Sequence, residues 1–294
     1  MDCEKIEKMT VKLPARARDV HKRGCGTVLV VAGSRGMTGA GALASMAALR
    51  SGAGLVTWAL PQSLNLVAET MCIEVLTQPL PETPGQALGI AAREHVVEAA
   101  QECDAVVLGP GMVSAGETGE LMRLLVPEIR VPLVVDAGAL RAVGEDRKIF
   151  LRRRAPTVVT PHPGEMSALC GLQTAAIQAE REKTASDYAR QARVVTLLKG
   201  AGTVVSDGAK VFVNPTGNPG MATAGAGDVL AGVVAALLAA GLDAFDAAAL
   251  GAYLHGMAGD LAVEETGVHG LIAGDILQYL PSAFCAYGEA AHDN

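Results

Sequence analysis

The sequence predicts an α/β protein built on a mostly parallel sheet, and three observations carry this. The apolar runs are rich in β-branched residues and do not alternate with polar ones, as strands covered on both faces read. Each run opens into a glycine- or proline-bearing turn and then an alanine-rich helical segment. The rhythm persists from residue 27 to residue 232 with no internal repeat and no low-complexity linker. The 294 residues therefore read as a single domain, 1–294, with residues 1–20 as an N-terminal arm.

Residues 1–23 carry seven Lys/Arg and four Asp/Glu and lack the apolar stretch of a secretory leader, so they read as an arm or a short surface helix. Residues 27–32 are the first buried strand. It opens into Gly33-Ser-Arg-Gly-Met-Thr-Gly-Ala-Gly41 and an Ala-rich helix to about Gly52. These glycines do not fit G-x-G-x-x-G, and G-x-x-x-x-G-K-[ST] occurs nowhere. A dinucleotide fingerprint and a P-loop are therefore disfavoured against a tight strand-to-helix turn. Residues 55–59 are a strand, 61–69 a helix with Pro61 in its first turn, 73–77 a strand, 79–85 a proline-rich loop and 87–103 a helix. Residues 104–108 form a strand ending in Gly109-Pro-Gly111, at the sheet edge where ligands of open α/β folds collect.

A helix near 117–125 and a strand over 132–135 lead to Asp136-Ala-Gly-Ala-Leu140. The triplet Arg152-Arg153-Arg154 reads as a solvated turn in preference to a phosphate site. Residues 157–160 are a strand running into Pro161-His162-Pro-Gly-Glu165 and a helix. Residues 175–192 are a helix, and 194–198 a strand ending in Lys199-Gly-Ala-Gly-Thr203. Residues 203–206 and 210–213 alternate around Asp207-Gly208, a hairpin signature that interrupts the parallel rhythm. Helices over 246–265 and 272–280 follow.

The stretch from Asn218 to Gly232 concentrates the functional signal. Pro215, Gly217, Pro219 and Gly220 forbid a helix at its start, whereas residues 229–240 are apolar, Ala-rich and free of proline. Between them Thr223-Ala-Gly-Ala-Gly-Asp228 carries no bulky side chain, so backbone can close on a ligand. The free amides and dipole of the first helical turn seat an anion. Asp228 at that seat has two readings: a helix cap, or a base for a hydroxyl that attacks a phosphate. His162 and Glu165, held in a rigid turn at a strand end, likewise read as structural or functional.

The totals exclude other classes. A net charge of −7 argues against general nucleic-acid binding. The six cysteines are scattered with no C-x-x-C pair, which fits reduced thiols in the cytoplasm better than disulfides or a zinc site. The most apolar run, near residues 229–241, is too short to span a bilayer. Half of the chain is hydrophobic but only 3% is aromatic, so the core must be made of Ala, Val, Leu and Gly.

The motifs Gly33-Ser34, Met37-Thr-Gly-Ala-Gly41, Gly52-Ala-Gly-Leu55, Gly109-Pro-Gly111, Thr160-Pro-His-Pro-Gly-Glu165, Leu198-Lys-Gly200, Asn218-Pro-Gly-Met-Ala-Thr223 and Gly225-Ala-Gly-Asp228-Val-Leu-Ala-Gly232 recur in one family. Through them, from about residue 21 to 280, the chain resembles the ADP- or ATP-dependent NAD(P)H-hydrate dehydratases, a branch of the ribokinase-like superfamily. G-x-G-D marks the superfamily; N-P-G-M-A-T before it is much narrower. The resemblance implies a ribokinase-like three-layer α/β/α sandwich with a mostly parallel central sheet.

It also implies that the C6 hydroxyl of hydrated NADH or NADPH is phosphorylated and then eliminated. Asp228 would take the hydroxyl proton, and the amides of Ala226 and Gly227 would hold the transferring phosphate. Lys199, Gly200, Ala201, Gly202 and Thr203 would line the adenine nucleotide site. Ala40, Gly111 and His162 would contact the hydrate, and Glu165 would position Mg²⁺ through water. ADP is the implied donor ahead of ATP, and a homotetramer the implied assembly. The family commonly has threonine where Ala226 lies, often tyrosine where Met37 lies and usually aspartate where Gly138 lies. Many bacterial relatives add an N-terminal epimerase domain, for which these residues leave no room. Two rivals remain: a thiazole-alcohol or pyridoxal kinase of the same fold, which shares G-x-G-D, and a non-catalytic nucleotide-binding protein.

Overall fold

The β-branched runs assemble into a ten-stranded sheet among the residues that a computed structural model describes, 3–144, 146 and 148–292. The strands are β1 (Glu4–Ile6), β2 (Thr27–Val31), β3 (Leu55–Pro61), β4 (Leu76–Leu80), β5 (Ala105–Leu108), β6 (Leu133–Val135), β7 (Thr157–Val159), β8 (Val195–Leu198), β9 (Val204–Ser206) and β10 (Lys210–Val213). Their order is β1-β10-β9-β8-β7-β6-β5-β2-β3-β4. Every pairing from β8 across to β4 is parallel. The Asp207-Gly208 hairpin makes β10 antiparallel to β9, and the loop of residues 199–203 makes β9 antiparallel to β8.

The helices are α1 (Thr38–Arg50), α2 (Asn65–Met71), α3 (Arg93–Gln101), α4 (Gly116–Glu128), α5 (Gly138–Val143), α6 (Lys148–Leu151), α7 (Pro163–Cys170), α8 (Thr174–Ala179), α9 (Arg181–Ala192), α10 (Ala226–Ala239), α11 (Ala244–Gly270) and α12 (Ala273–His292). Helices α1, α2 and α10 to α12 cover one face, and α3 to α9 the other. Alternation within β2 shows why its sequence is apolar throughout. Val28 and Val30 enter one core and Leu29 and Val31 the other, none more than 1% exposed.

Small residues set the spacing of the first face. A Cβ on Gly232 of α10 would lie 2.1 Å from the Ala44 carbonyl oxygen of α1. A Cβ on Gly41 would strike the Trp58 indole at 2.3 Å, and that indole donates to the Ala32 carbonyl at 3.0 Å. Helices α1 and α10 thus meet backbone to backbone, which brings the start of α1 beside the start of α10.

Several elements differ from the sequence expectation. Pro61 ends β3 instead of opening a helix, and α2 begins at Asn65 after one tight turn. The next strand comes three residues late and includes Pro79, tolerated because β4 is an edge strand. Residues 81–89 form a turn closed by a Glu82–Leu88 bridge, and α3 starts only at Arg93, since Pro81, Pro84 and the positive φ of Gln86 (56°) delay it. The helix expected over 175–192 breaks at Glu180 (φ −135°, ψ 54°) into α8 and α9. The helix expected over 246–265 begins at its Asp243 cap, kinks at Gly267 (φ 68°) and ends at Gly270.

The arm is not a helix. Its residues 4–6 add β1 in parallel beside β10, and Tyr287 donates to the Val11 carbonyl at 2.5 Å. Met1 and Asp2 lie outside the described residues. Nor is the arginine triplet wholly solvated. Arg153 donates to the carbonyls of Val126, Ile129 and Val131 at 2.5–2.9 Å and to Thr157 Oγ1 at 2.7 Å. Burial lowers its pKa to about 10. Among the described residues, no helix is long and apolar enough to cross a membrane.

Candidate active site

Five strand ends and the starts of α1, α7 and α10 supply the residues expected at the site. At the end of β6, Asp136 is 1% exposed and accepts hydrogen bonds from Thr160 Oγ1 and Lys199 Nζ, both at 2.7 Å. The next residue, Ala137, takes φ 47°, an uncommon conformation for a residue with a Cβ that the surrounding turn must hold. At the end of β7, His162 caps α7: its Nδ1 accepts from the amides of Gly164 (3.0 Å) and Glu165 (3.3 Å). That leaves the ring proton on Nε2, which lies 3.4 Å from Glu165 Oε1. Glu165 completes the capping box by accepting from the His162 amide at 3.0 Å. The structural reading of His162 and Glu165 is therefore realised, while the His162 side chain stays 45% exposed to the cleft.

Lys199 ends β8. Its amide donates to the Pro161 carbonyl at 2.8 Å, which ties the β7 and β8 turns together. Its ammonium leaves the glycine loop and enters the carboxylate cluster, 2.7 Å from Asp136 and 3.8 Å from Glu165. Burial pulls its pKa down, but Asp136, Glu165 and Asp228 more than offset that, so the net shift is upward and the group is a cation. It also reaches α10, since a Cβ on Gly227 would lie 3.1 Å from Nζ.

Asp228 is the third residue of α10, behind a Gly225 N-cap (φ 92°) that offers no side-chain cap. The capping reading of Asp228 is thus not realised. The first backbone bond of the helix runs from the Val229 amide to the Gly225 carbonyl at 3.1 Å. Among the described residues, the amides of Ala226, Gly227 and Asp228 meet no acceptor, and no hydrogen bond or ion pair engages the Asp228 carboxylate. Burial, then the charge of Asp136 and of Glu165, lifts its pKa to about 7, with Lys199 opposing.

Of the three residues expected to contact the hydrate, Ala40 and Gly111 lie together. A Cβ on Gly111 (φ 63°) would sit 2.9 Å from the Ala40 Cβ, and Ser34 Oγ donates to the Gly111 carbonyl at 2.8 Å. The Gly138 amide donates to the Gly109 carbonyl at 3.2 Å, pinning this turn to the Asp136 turn. The glycine loop Gly200-Ala-Gly202 is exposed, with Thr203 Oγ1 donating back to the Gly200 carbonyl at 3.0 Å.

Sequence reasoning gave no role to four groups here. Asp136 and Thr160 sat in recognised motifs but their bond to Lys199 was not foreseen. Asp260 of α11 accepts from the Gly217 amide (2.8 Å) and from Asn218 Nδ2 (3.0 Å), anchoring the N-P-G-M loop. His255 of α11 is 9% exposed with Nε2 unpartnered. Burial drops its pKa to about 4, against a hydrogen bond at the Ala226 backbone and with the charge of Lys199, so it is neutral beneath the start of α10.

Residues 28–282 match the family model described as NAD(P)H-hydrate dehydratase. The chain belongs to this family. A bifunctional NAD(P)H-hydrate repair enzyme of Moorella thermoacetica is 48% identical over 272 residues, 92% of this chain and 51% of that protein. This chain thus spans about half the length of the first such relatives. The ADP-dependent (S)-NAD(P)H-hydrate dehydratase of Xanthomonas campestris pv. campestris is 38% identical over 92% of this chain and 91% of its own. The ADP/ATP-dependent NAD(P)H-hydrate dehydratase of Bacillus subtilis, co-crystallised with ATP/Mg²⁺, superposes with a TM-score of 0.79 at 28% identity, covering 94% of both chains. The chain shares its α/β fold with this structure and with a ribokinase-like superfamily protein of Enterococcus faecalis.

Among the described residues of this NAD(P)H-hydrate dehydratase family member, no group of three or more His, Cys, Asp or Glu forms a metal cage. A divalent ion held mainly by phosphate oxygens and water suits such a site. Glu165 Oε1 is paired with His162 Nε2 at 3.4 Å and Arg141 Nε at 3.8 Å, and its remaining lone-pair capacity fits a water on that ion.

Proposed function

We propose that the chain returns (6S)-NAD(P)H hydrate to NAD(P)H, with ADP as phosphoryl donor and AMP and phosphate as further products. The observation that carries this is Asp228: a carboxylate with a pKa near 7 that takes part in no hydrogen bond among the described residues, at a helix start whose first three amides meet no acceptor among them. Hydroxide is a poor leaving group and phosphate a good one. Asp228 takes the C6 hydroxyl proton, and the oxygen attacks the terminal phosphorus of the nucleotide. The amides of Ala226 and Gly227 and the Lys199 ammonium hold the phosphoryl as charge builds on it. AMP leaves. The ring-nitrogen lone pair then expels phosphate, and loss of a proton from the neighbouring ring carbon restores the double bond.

Mg²⁺ would neutralise charge on the donor phosphates, and Glu165 would hold it through water. Lys199 to Thr203 form the nucleotide side, and Ala40, Gly111 and His162 the hydrate side. We assign the whole chain, 1–294, to this one activity, in the cytoplasm and as a homotetramer.

The test is incubation with hydrated NADH and either ADP or ATP. Return of reduced-nicotinamide absorbance, with one phosphate per ring restored and a faster rate with ADP, supports the reading. Phosphorylation of a thiazole alcohol or pyridoxal with no return of absorbance replaces it by a kinase of the same fold. Binding of both ligands without turnover replaces it by a non-catalytic protein.

A further inference from the structure

Several carbonyls of the loop after β8 are gathered by a side chain of α9. Arg181 opens α9 directly behind the break at Glu180. Its Nη2 donates to three carbonyls: Leu198 at 3.0 Å, Lys199 at 3.3 Å and Gly202 at 3.4 Å. Its Nη1 donates to Gln178 Oε1 at 2.8 Å, which anchors the guanidinium to α8. One planar cation therefore spans both ends of the loop. The chain passes close over it, since a Cβ on Gly200 (φ 140°) would lie 3.0 Å from Nη1 and 3.1 Å from Nη2.

The consequence follows from peptide geometry. In a planar trans peptide the C=O and the next N–H point in opposite directions. Turning the Lys199 carbonyl onto Arg181 turns the Gly200 amide away from it, and turning the Gly202 carbonyl onto Arg181 does the same to the Thr203 amide. Among the described residues, the amides of Gly200, Ala201 and Gly202 meet no acceptor. The guanidinium thus collects carbonyl oxygens on one side of the loop and leaves N–H groups on the other, the arrangement that receives phosphate or ribose oxygens.

We propose that Arg181 is a positioning residue that holds residues 199–203 in the shape that receives the donor nucleotide. It does so without touching the ligand. The proposal rests on the assignment of this loop to the nucleotide made above.

The test compares the wild-type chain with Arg181→Ala, Arg181→Lys and Gln178→Ala by ADP calorimetry, steady-state kinetics with hydrated NADH, and thermal melts without ligand. For Arg181→Ala we expect ADP affinity to fall about tenfold, about 1.4 kcal/mol, and KM for the nucleotide to rise in step. The KM for the hydrate and kcat should stay within about twofold. Arg181→Lys, which keeps the charge but not the fork, should fall between, and Gln178→Ala should show a smaller loss in the same direction. A folded Arg181→Ala that binds ADP as the wild type does, or that raises both KM values alike, overturns the proposal. Should Arg181→Ala fail to fold, Arg181→Lys decides by the same criteria. A wild-type chain that binds neither ADP nor ATP overturns the nucleotide assignment itself, whatever the variants do.

Discussion

Asp228 stands between opposing influences. Burial and the neighbouring Asp136 and Glu165 favour its protonated form, while Lys199 favours the carboxylate. As a base it must be ionised, so kcat/KM should rise with pH along an acid limb of apparent pKa about 7 and then level off. A pH–rate profile that is flat down to about pH 5 contradicts this assignment. Stability runs the other way. Folding raises this pKa from 3.8, so the folded chain binds the proton more tightly than the unfolded chain. Below the unfolded value both states hold it. Above about 7 both have lost it, and the folded state carries the whole cost of a half-buried carboxylate. The melting temperature of Asp228→Asn should therefore exceed that of the wild type near pH 8 and match it near pH 4. At the neighbouring position, Gly227→Val should push the Lys199 ammonium out of the seat and weaken ADP binding about tenfold or more. Unchanged affinity by calorimetry would deny that the nucleotide phosphate lies there.

At the scale of elements, Arg153 joins the end of α4, the chain leading to β6 and the start of β7 through three carbonyls and Thr157. Arg153→Ala leaves these acceptors buried and unpaired, a loss of about 2–3 kcal/mol. A denaturant midpoint measures it, while activity per folded molecule should be kept, because none of these groups reaches the cleft. The same residue shows where the sequence stops being legible. A run of three arginines looks solvated until a partner 22 to 27 residues away is known to turn its carbonyls inward. Strand ends with their glycine and proline turns were readable because backbone sterics are local. The start of α10 and the motifs around Asp228 and His162 were readable for that reason. The bond from Lys199 to Asp136 spans 63 residues, and the buried His255 lies on a helix that reads as plain core. Neither leaves a periodic trace. Boundaries failed where tertiary context overrode a local rule, as at Pro79 on the edge strand and at Glu180 between α8 and α9.

Over the whole molecule, the site depends on how closely α1 and α10 approach. Gly232→Val places side-chain atoms where the Ala44 carbonyl already lies, 2.1 Å from the first of them. The helices must part, at a cost of about 1–3 kcal/mol or more, and Ala40 and Gly111 must move relative to Asp228. A lower melting temperature together with a raised KM for the hydrate is the expected outcome. A stable variant with unchanged KM would show that this contact does not set the site. Nucleotide binding should in turn stabilise the fold. ADP at 100 times its dissociation constant adds about 2.7 kcal/mol by mass action, visible as a higher melting temperature.

The most direct measurement is turnover of hydrated NADH with saturating ADP by Asp228→Asn, on protein shown by circular dichroism and calorimetry to be folded and to bind ADP. Among the described residues the carboxylate accepts no hydrogen bond that the amide would forfeit, so folding and binding should survive. Turnover should fall by about 10²- to 10⁴-fold, the range of a lost general base. A variant that still repairs the ring at close to the wild-type rate would remove Asp228 from the chemistry and the anion seat from the centre of this site.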